Sequence, residues 1–163
     1  VESDGPLIDA PIITIRQGGA SPIDRRGLTD AWVAEAVREG TAVLLDLYAN
    51  AHRSIFDVVS IDAVDVSNFG GRLDESAAET ALVTDVSWAD PKDGNRERPF
   101  TVAWGRSTRH AFANAELSVA AKLTHFENAW QKQPRFAGWM SLDVRFDDVW
   151  YRPIRQVEDS ARR

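Results

Sequence analysis

Three histidines and a scatter of carboxylates are the side chains of this 163-residue chain best suited to chemistry. His52, His110 and His125 fall at an expected helix end, in a loop and on a helix. None stand at H-x-H or H-x-x-x-H spacing, and a metal site needs several ligands in defined geometry. They read as isolated surface or capping histidines, and no metal or cofactor is assigned. The chain has no cysteine, which removes disulfides, thiolate catalysis and Cys-based metal centres together. Ser118 and Lys122 do not have the spacing of a Ser-x-x-Lys nucleophile pair. There is no G-x-S-x-G, P-loop or G-x-G-x-x-G, and Gly18-Gly19 and Gly70-Gly71 read as turns.

Acids are plentiful: Asp57, Asp62 and Asp65, Asp90 and Asp93, Asp147 and Asp148. A general acid–base pair requires one carboxylate in a desolvating, apolar setting. These alternate outward on expected strands or sit in turns, so solvated faces are the default reading. One enzyme reading survives, a small α+β fold of the ketosteroid-isomerase type with an Asp base in a pocket under a helix. Asp85 and Asp143 are its candidates. Leu142, Val144 and Phe146 claim the buried face of their strand, which turns Asp143 the other way. No catalytic residue is assigned.

The totals set what elements can be built. The length suits one domain, and 44% apolar with 27% charged residues supports an ordinary core. A net charge of −6 with scattered arginines argues against a nucleic-acid binder, because phosphate contacts need a dense basic surface. No apolar run approaches the roughly 18–20 residues that cross a bilayer. The first residue is Val, and no signal-peptide pattern follows it, so the chain reads as a processed product or a piece of a longer one.

Residues 7–8 and 12–15 read as short strands among turns. From Leu28, apolar residues recur at three- and four-residue steps: a helix over 28–52, capped by Asp24 or Thr29 and weakened at Gly40. The alternative is a helix to Arg38 followed by a strand "TAVLLDLYA". "VVSIDAVDVSNF", "ETALVTDVSWAD" and "RPFTVAWGR" then predict a meander of three strands. A second helix is predicted in "NAELSVAAKLTHFENAWQK", capped by Asn114 with Glu116 at its positive start. Its apolar stripe is Val119, Leu123, Phe126 and Trp130, and Pro134 ends it. The stretch "WMSLDVRFDDVWYRPI" returns to β structure. The expected fold is α+β: a mostly antiparallel sheet with two amphipathic helices packed on it and an open edge at the C-terminal strand.

Trp32, Trp104 and Trp130 fall on expected core faces, whereas Trp150 and Tyr151 stand on the last strand. A terminal strand is often an edge strand, where another chain can add itself. Exposed aromatics at such an edge suit an interface anchor.

The second half carries a resemblance. Trp104-Gly105-Arg106, the helical Lys122-Leu123-Thr124-His125-Phe126, Asp143-Val144-Arg145-Phe146 and the stretch Val149 to Pro153 follow in order. Together they resemble the C-terminal part of the FtsQ/DivIB family of bacterial cell-division proteins. "VESDGPLI" resembles the D-x-x-G opening of that family's β domain, and the 28–52 helix falls where that domain has one. The resemblance implies a β domain over 1–155 followed by a polar tail, 156–163. It also implies a non-enzymatic divisome scaffold on the extracytoplasmic side of the bacterial inner membrane, in the periplasm, at the division septum. Its partners would be other divisome proteins of the FtsB/FtsL type, adding a strand to the last strand. Membrane contact would come only through an N-terminal helix that, like the POTRA domain, this chain lacks. Partner-binding residues carried over are Arg106, Arg145, Phe146, Val149, Trp150, Tyr151, Arg152 and Pro153. The turn before the last strand is shorter than the family pattern, which leaves the register of 149–152 open.

Overall fold

Thr29 opens the first helix, its side chain accepting a hydrogen bond from the Trp32 amide at 3.2 Å. The structure is a computed structural model that describes residues 11–15, 29–90, 94–110 and 115–153, with backbone alone for 85–90 and 94–98. Helix α1 runs unbroken over Asp30–Ala49, so no separate strand forms at 41–49. Its apolar positions bury Ala36, Val43 and Leu47. Gly40 lies in the buried face for a steric reason: a Cβ there would meet Val66 Cγ1 at 2.9 Å and Ile13 Cγ2 at 3.2 Å. Glycine lets α1 approach the sheet closely, so what the sequence marked as a weak spot is a packing contact.

Among the described residues, six strands follow in spatial order: β1 (Ile12–Thr14), β2 (Ala63–Asp65), β3 (Ala81–Asp90), β4 (Gly94–Ala103), β5 (Trp139–Asp143) and β6 (Trp150–Pro153). The β2–β3, β3–β4 and β5–β6 pairs are antiparallel; β1–β2 and β4–β5 are parallel. The sheet is therefore mixed and open, mostly antiparallel, with β1 and β6 at its ends. A parallel pair needs a crossover rather than a hairpin. Helix α2, Val119–Lys132, stands between β4 and β5 in the chain. The expected 58–69 strand shrinks to three residues because Ser54–Asp57 form a 3-10 turn and Phe69–Gly71 another.

Ile13, Val64, Leu82, Val102, Leu142 and Tyr151 occupy one row across all six strands. The four central members are buried and share a core with Val43 and Leu47 of α1 and Leu123 and Phe126 of α2. The other side of the sheet presents Ala81, Val83, Thr101, Ala103 and Ser141, all half-buried. Both helices thus serve one face, as the alternating strands require. Ser118 caps α2, accepting from the Ala121 amide at 3.3 Å. The candidate caps Asn114 and Asp24, the opening 1–8 and the tail 156–163 lie outside the described residues. Glu116 does not join the helix start. Its carboxylate turns inward instead, onto Lys122.

Candidate partner-binding edge

The β5–β6 hairpin gathers seven of the eight carried-over residues. Its turn is rigidly tied. Val144 is fully buried and its amide donates to the Ala103 carbonyl at 3.3 Å. The Arg145 carbonyl accepts from the Leu117 amide at 2.8 Å. The Arg145 guanidinium is chelated by Asp143, with Nη2 2.7 Å from Oδ2 and Nε 3.0 Å from Oδ1, and it lies 4.9 Å from the Phe146 ring. Those hydrogen bonds to Asp143 raise the Arg145 pKa above the usual guanidinium value, and Glu116 adds to the effect.

Strand β5 ends at Asp143, so Phe146 is not on its buried face as the alternation suggested. It stands in the turn, 38% exposed, because the chain leaves the ladder once Val144 has capped the core. Val149 lies one residue before β6. The register sets Asp143 against Trp150, Leu142 against Tyr151 and Ser141 against Arg152, with an irregularity near Met140. All four β6 residues are exposed, Trp150 by 68% and Tyr151 by 53%. Among the described residues strand β6 pairs with β5 alone, so alternate residues turn their N–H and C=O groups away from the sheet. Pro153 has no N–H to offer.

Tyr151 is supported from within. Its ring stacks on Trp139 at 4.3 Å with planes 14° apart. Trp139 lies 6.4 Å from Phe136, and Phe136 stacks on Phe100 at 4.3 Å and on Phe126 at 5.6 Å. This aromatic series joins the buried core to the open edge. It depends on a turn whose Arg135 and Phe136 have φ of 56° and 47°, left-handed conformations that cost L residues about 1–2 kcal/mol each. Burial of the Phe136 ring offsets that cost. Trp139 was not assigned to the site from sequence; the signal was an aromatic at the start of the strand that pairs with β6.

Arg106 does not join the edge. Its guanidinium is held by Glu79, Nη2 to Oε1 at 2.6 Å, and its amide donates to Glu116 Oε2 at 2.8 Å. Lys122 Nζ donates to the same Glu116 oxygen at 2.8 Å and to the Arg106 carbonyl at 3.0 Å. Lys122 and Glu116 are desolvated, their side chains 0% and 3% exposed. Gly105 has φ of +80°, and a Cβ on it would collide with the Glu116 carboxylate. The Trp-Gly-Arg and Lys-Leu elements therefore meet in one buried anchor that fixes the end of β4 beside the β5–β6 turn.

Most of the other described candidate groups are engaged or solvated. Glu39, fully buried on α1, accepts from the Ser107 amide at 2.6 Å and faces His110 Nδ1 at 2.9 Å. His110 is thus part of a clamp between α1 and the 107–110 loop, a partnership 71 residues apart that spacing could not reveal. His52 is exposed in the turn after α1, and His125 lies on α2 with Nδ1 buried. Asp143 is half-buried and bound by Arg145; the side chain of Asp85 lies outside the described residues. A groove of about 640 Å³ opens beside the end of α1; Asp57 and Asp62, its two acids, are exposed. Among the described residues no group of His, Asp and Glu could hold a metal, and no helix is long and apolar enough to cross a membrane. No family model, curated protein or solved structure matches the chain.

Proposed function

We propose that this domain is a non-enzymatic scaffold of the bacterial divisome, of the FtsQ/DivIB kind, that recruits membrane-anchored partners by accepting a β-strand along β6. The observation that carries the reading is an edge strand exposing Trp150 and Tyr151 while its turn is locked by Asp143, Arg145 and Val144. An arriving strand would satisfy the outward amides and carbonyls. Each such hydrogen bond contributes only about 1 kcal/mol net, so the aromatic side chains must anchor it. The resemblance carried by Trp104-Gly105-Arg106 and the later motifs in the sequence supports this reading. In this reading the domain works at the septum, outside the inner membrane, with FtsB/FtsL-type partners. Arg106 and Arg145, already paired to Glu79 and Asp143, would position the edge rather than contact the partner.

The test is a titration of the folded chain with extracytoplasmic segments of FtsB/FtsL-type proteins. Trp150→Lys and Tyr151→Lys are expected to weaken binding by at least tenfold with an unchanged circular dichroism spectrum. Full-strength binding in both variants would overturn the reading.

A further inference from the structure

The same open edge is complementary to itself. We propose that, without a foreign strand, β6 pairs antiparallel with β6 of a second copy about a two-fold axis centred on Tyr151. The inference rests on the scaffold reading only for an accessible edge.

A two-fold axis normal to a sheet keeps each residue on its own face, and cross-strand partners must share a face. Strand β6 puts Trp150 and Arg152 on the open face, in line with Asp143 and Ser141, and Tyr151 on the helix-bearing face, in line with Leu142. The axis must therefore pass through a residue position. Centred on Arg152, it would set two guanidinium groups directly opposite, which is unfavourable. Centred on Tyr151, it sets Trp150 of each copy against Arg152 of the other, two cation–π pairs. The tyrosines then meet at the axis, each backed by its own Trp139. The exposed Arg152 has no side-chain hydrogen bond or ion pair among the described residues, which leaves it available for this role. The strand is short, so the dimer is weak and exchangeable. A partner strand and a second copy exclude each other, which makes recruitment a replacement of one guest by another.

The absence of cysteine makes the register directly readable. Single variants Tyr151→Cys, Trp150→Cys, Arg152→Cys and, as an exposed control, Met140→Cys are oxidised mildly at equal concentration. Tyr151→Cys alone is expected to form a disulfide-linked dimer at least tenfold faster than the other single variants. Mixing Trp150→Cys with Arg152→Cys is expected to restore fast cross-linking between unlike chains. Sedimentation of the unmodified chain should show mass rising with concentration, and Tyr151→Lys should abolish the rise. Equal cross-linking rates at the four positions, or a concentration-independent monomer, would overturn the self-pairing. If the monomer still binds FtsB/FtsL-type segments through Trp150 and Tyr151, the scaffold reading survives that failure; if it does not, both fall.

Discussion

Replacing Lys122 by Met removes an ammonium that donates to Glu116 and to the Arg106 carbonyl in a site closed to water. The Met side chain fills most of the buried stem, so the loss is electrostatic rather than a cavity. Glu116 keeps the Arg106 amide as donor but loses the cation it touches. Breaking one partner of a buried pair costs about 3–5 kcal/mol. For a chain of this size, each 1 kcal/mol lowers Tm by roughly 2–4 °C, so the expected fall is about 6–20 °C. Urea unfolding followed by tryptophan emission is a fitting assay, because Trp104 lies 5.5 Å beneath the ammonium. Adding Glu116→Gln to Lys122→Met should recover about 1–3 kcal/mol relative to the sum of the single losses, since Gln can still accept from Arg106 without a buried charge. A loss below about 1 kcal/mol for Lys122→Met, with no coupling to Glu116→Gln, would refute the claim that this pair holds the end of β4.

Gly105→Ala forces a side chain into the Glu116 carboxylate at a left-handed φ; it should lower the urea midpoint about as much as Lys122→Met. Trp139→Ala removes the stack beneath Tyr151, worth about 0.5–1.5 kcal/mol, and should weaken partner binding roughly 2–10-fold in a titration while leaving secondary structure intact. Arg53 hydrogen-bonds Glu127 and thereby holds its carboxyl below the ordinary range. The stabilisation is present above the unfolded-state pKa and is lost as pH falls through the lowered folded-state value. Arg53→Met should therefore reduce Tm near neutral pH and flatten its decline below about pH 4.3.

Sequence patterning exposed the elements wherever one face is buried over a long run. Helix α1, the stripe of α2 and the β3–β4 hairpin follow from 3.6- or two-residue periods, and Thr29 was one of the two caps the sequence offered for α1, with Asp24. What it could not expose were choices made by tertiary contacts. The 58–69 run is rich in β-formers, but Ile55 on the 3-10 turn before it and Val59 just beyond that turn pack into the core, and only Ala63–Asp65 join the ladder. Phe146 continues the alternation in sequence, but the chain bends at Arg145, whose carbonyl is drawn to Leu117. Glu116 suited a helix start until Lys122, six residues on, offered a buried counter-charge. The edge itself was legible in the adjacent aromatics Trp150 and Tyr151, set on the last of the β-forming runs. The stacking that supports it was not, since Phe136 takes part only through a backbone conformation that aromatic residues rarely adopt.

The stack from Phe100 through Phe136 and Trp139 to Tyr151 has an entropic consequence. A large ring on a free rim ordinarily samples several rotamers, and freezing them on association costs about 0.5–1.5 kcal/mol per side chain. Tyr151 has already given up much of that freedom during folding. Whatever strand arrives therefore meets a rim that is stiff before contact, and the ordering cost of the encounter falls mainly on the visitor.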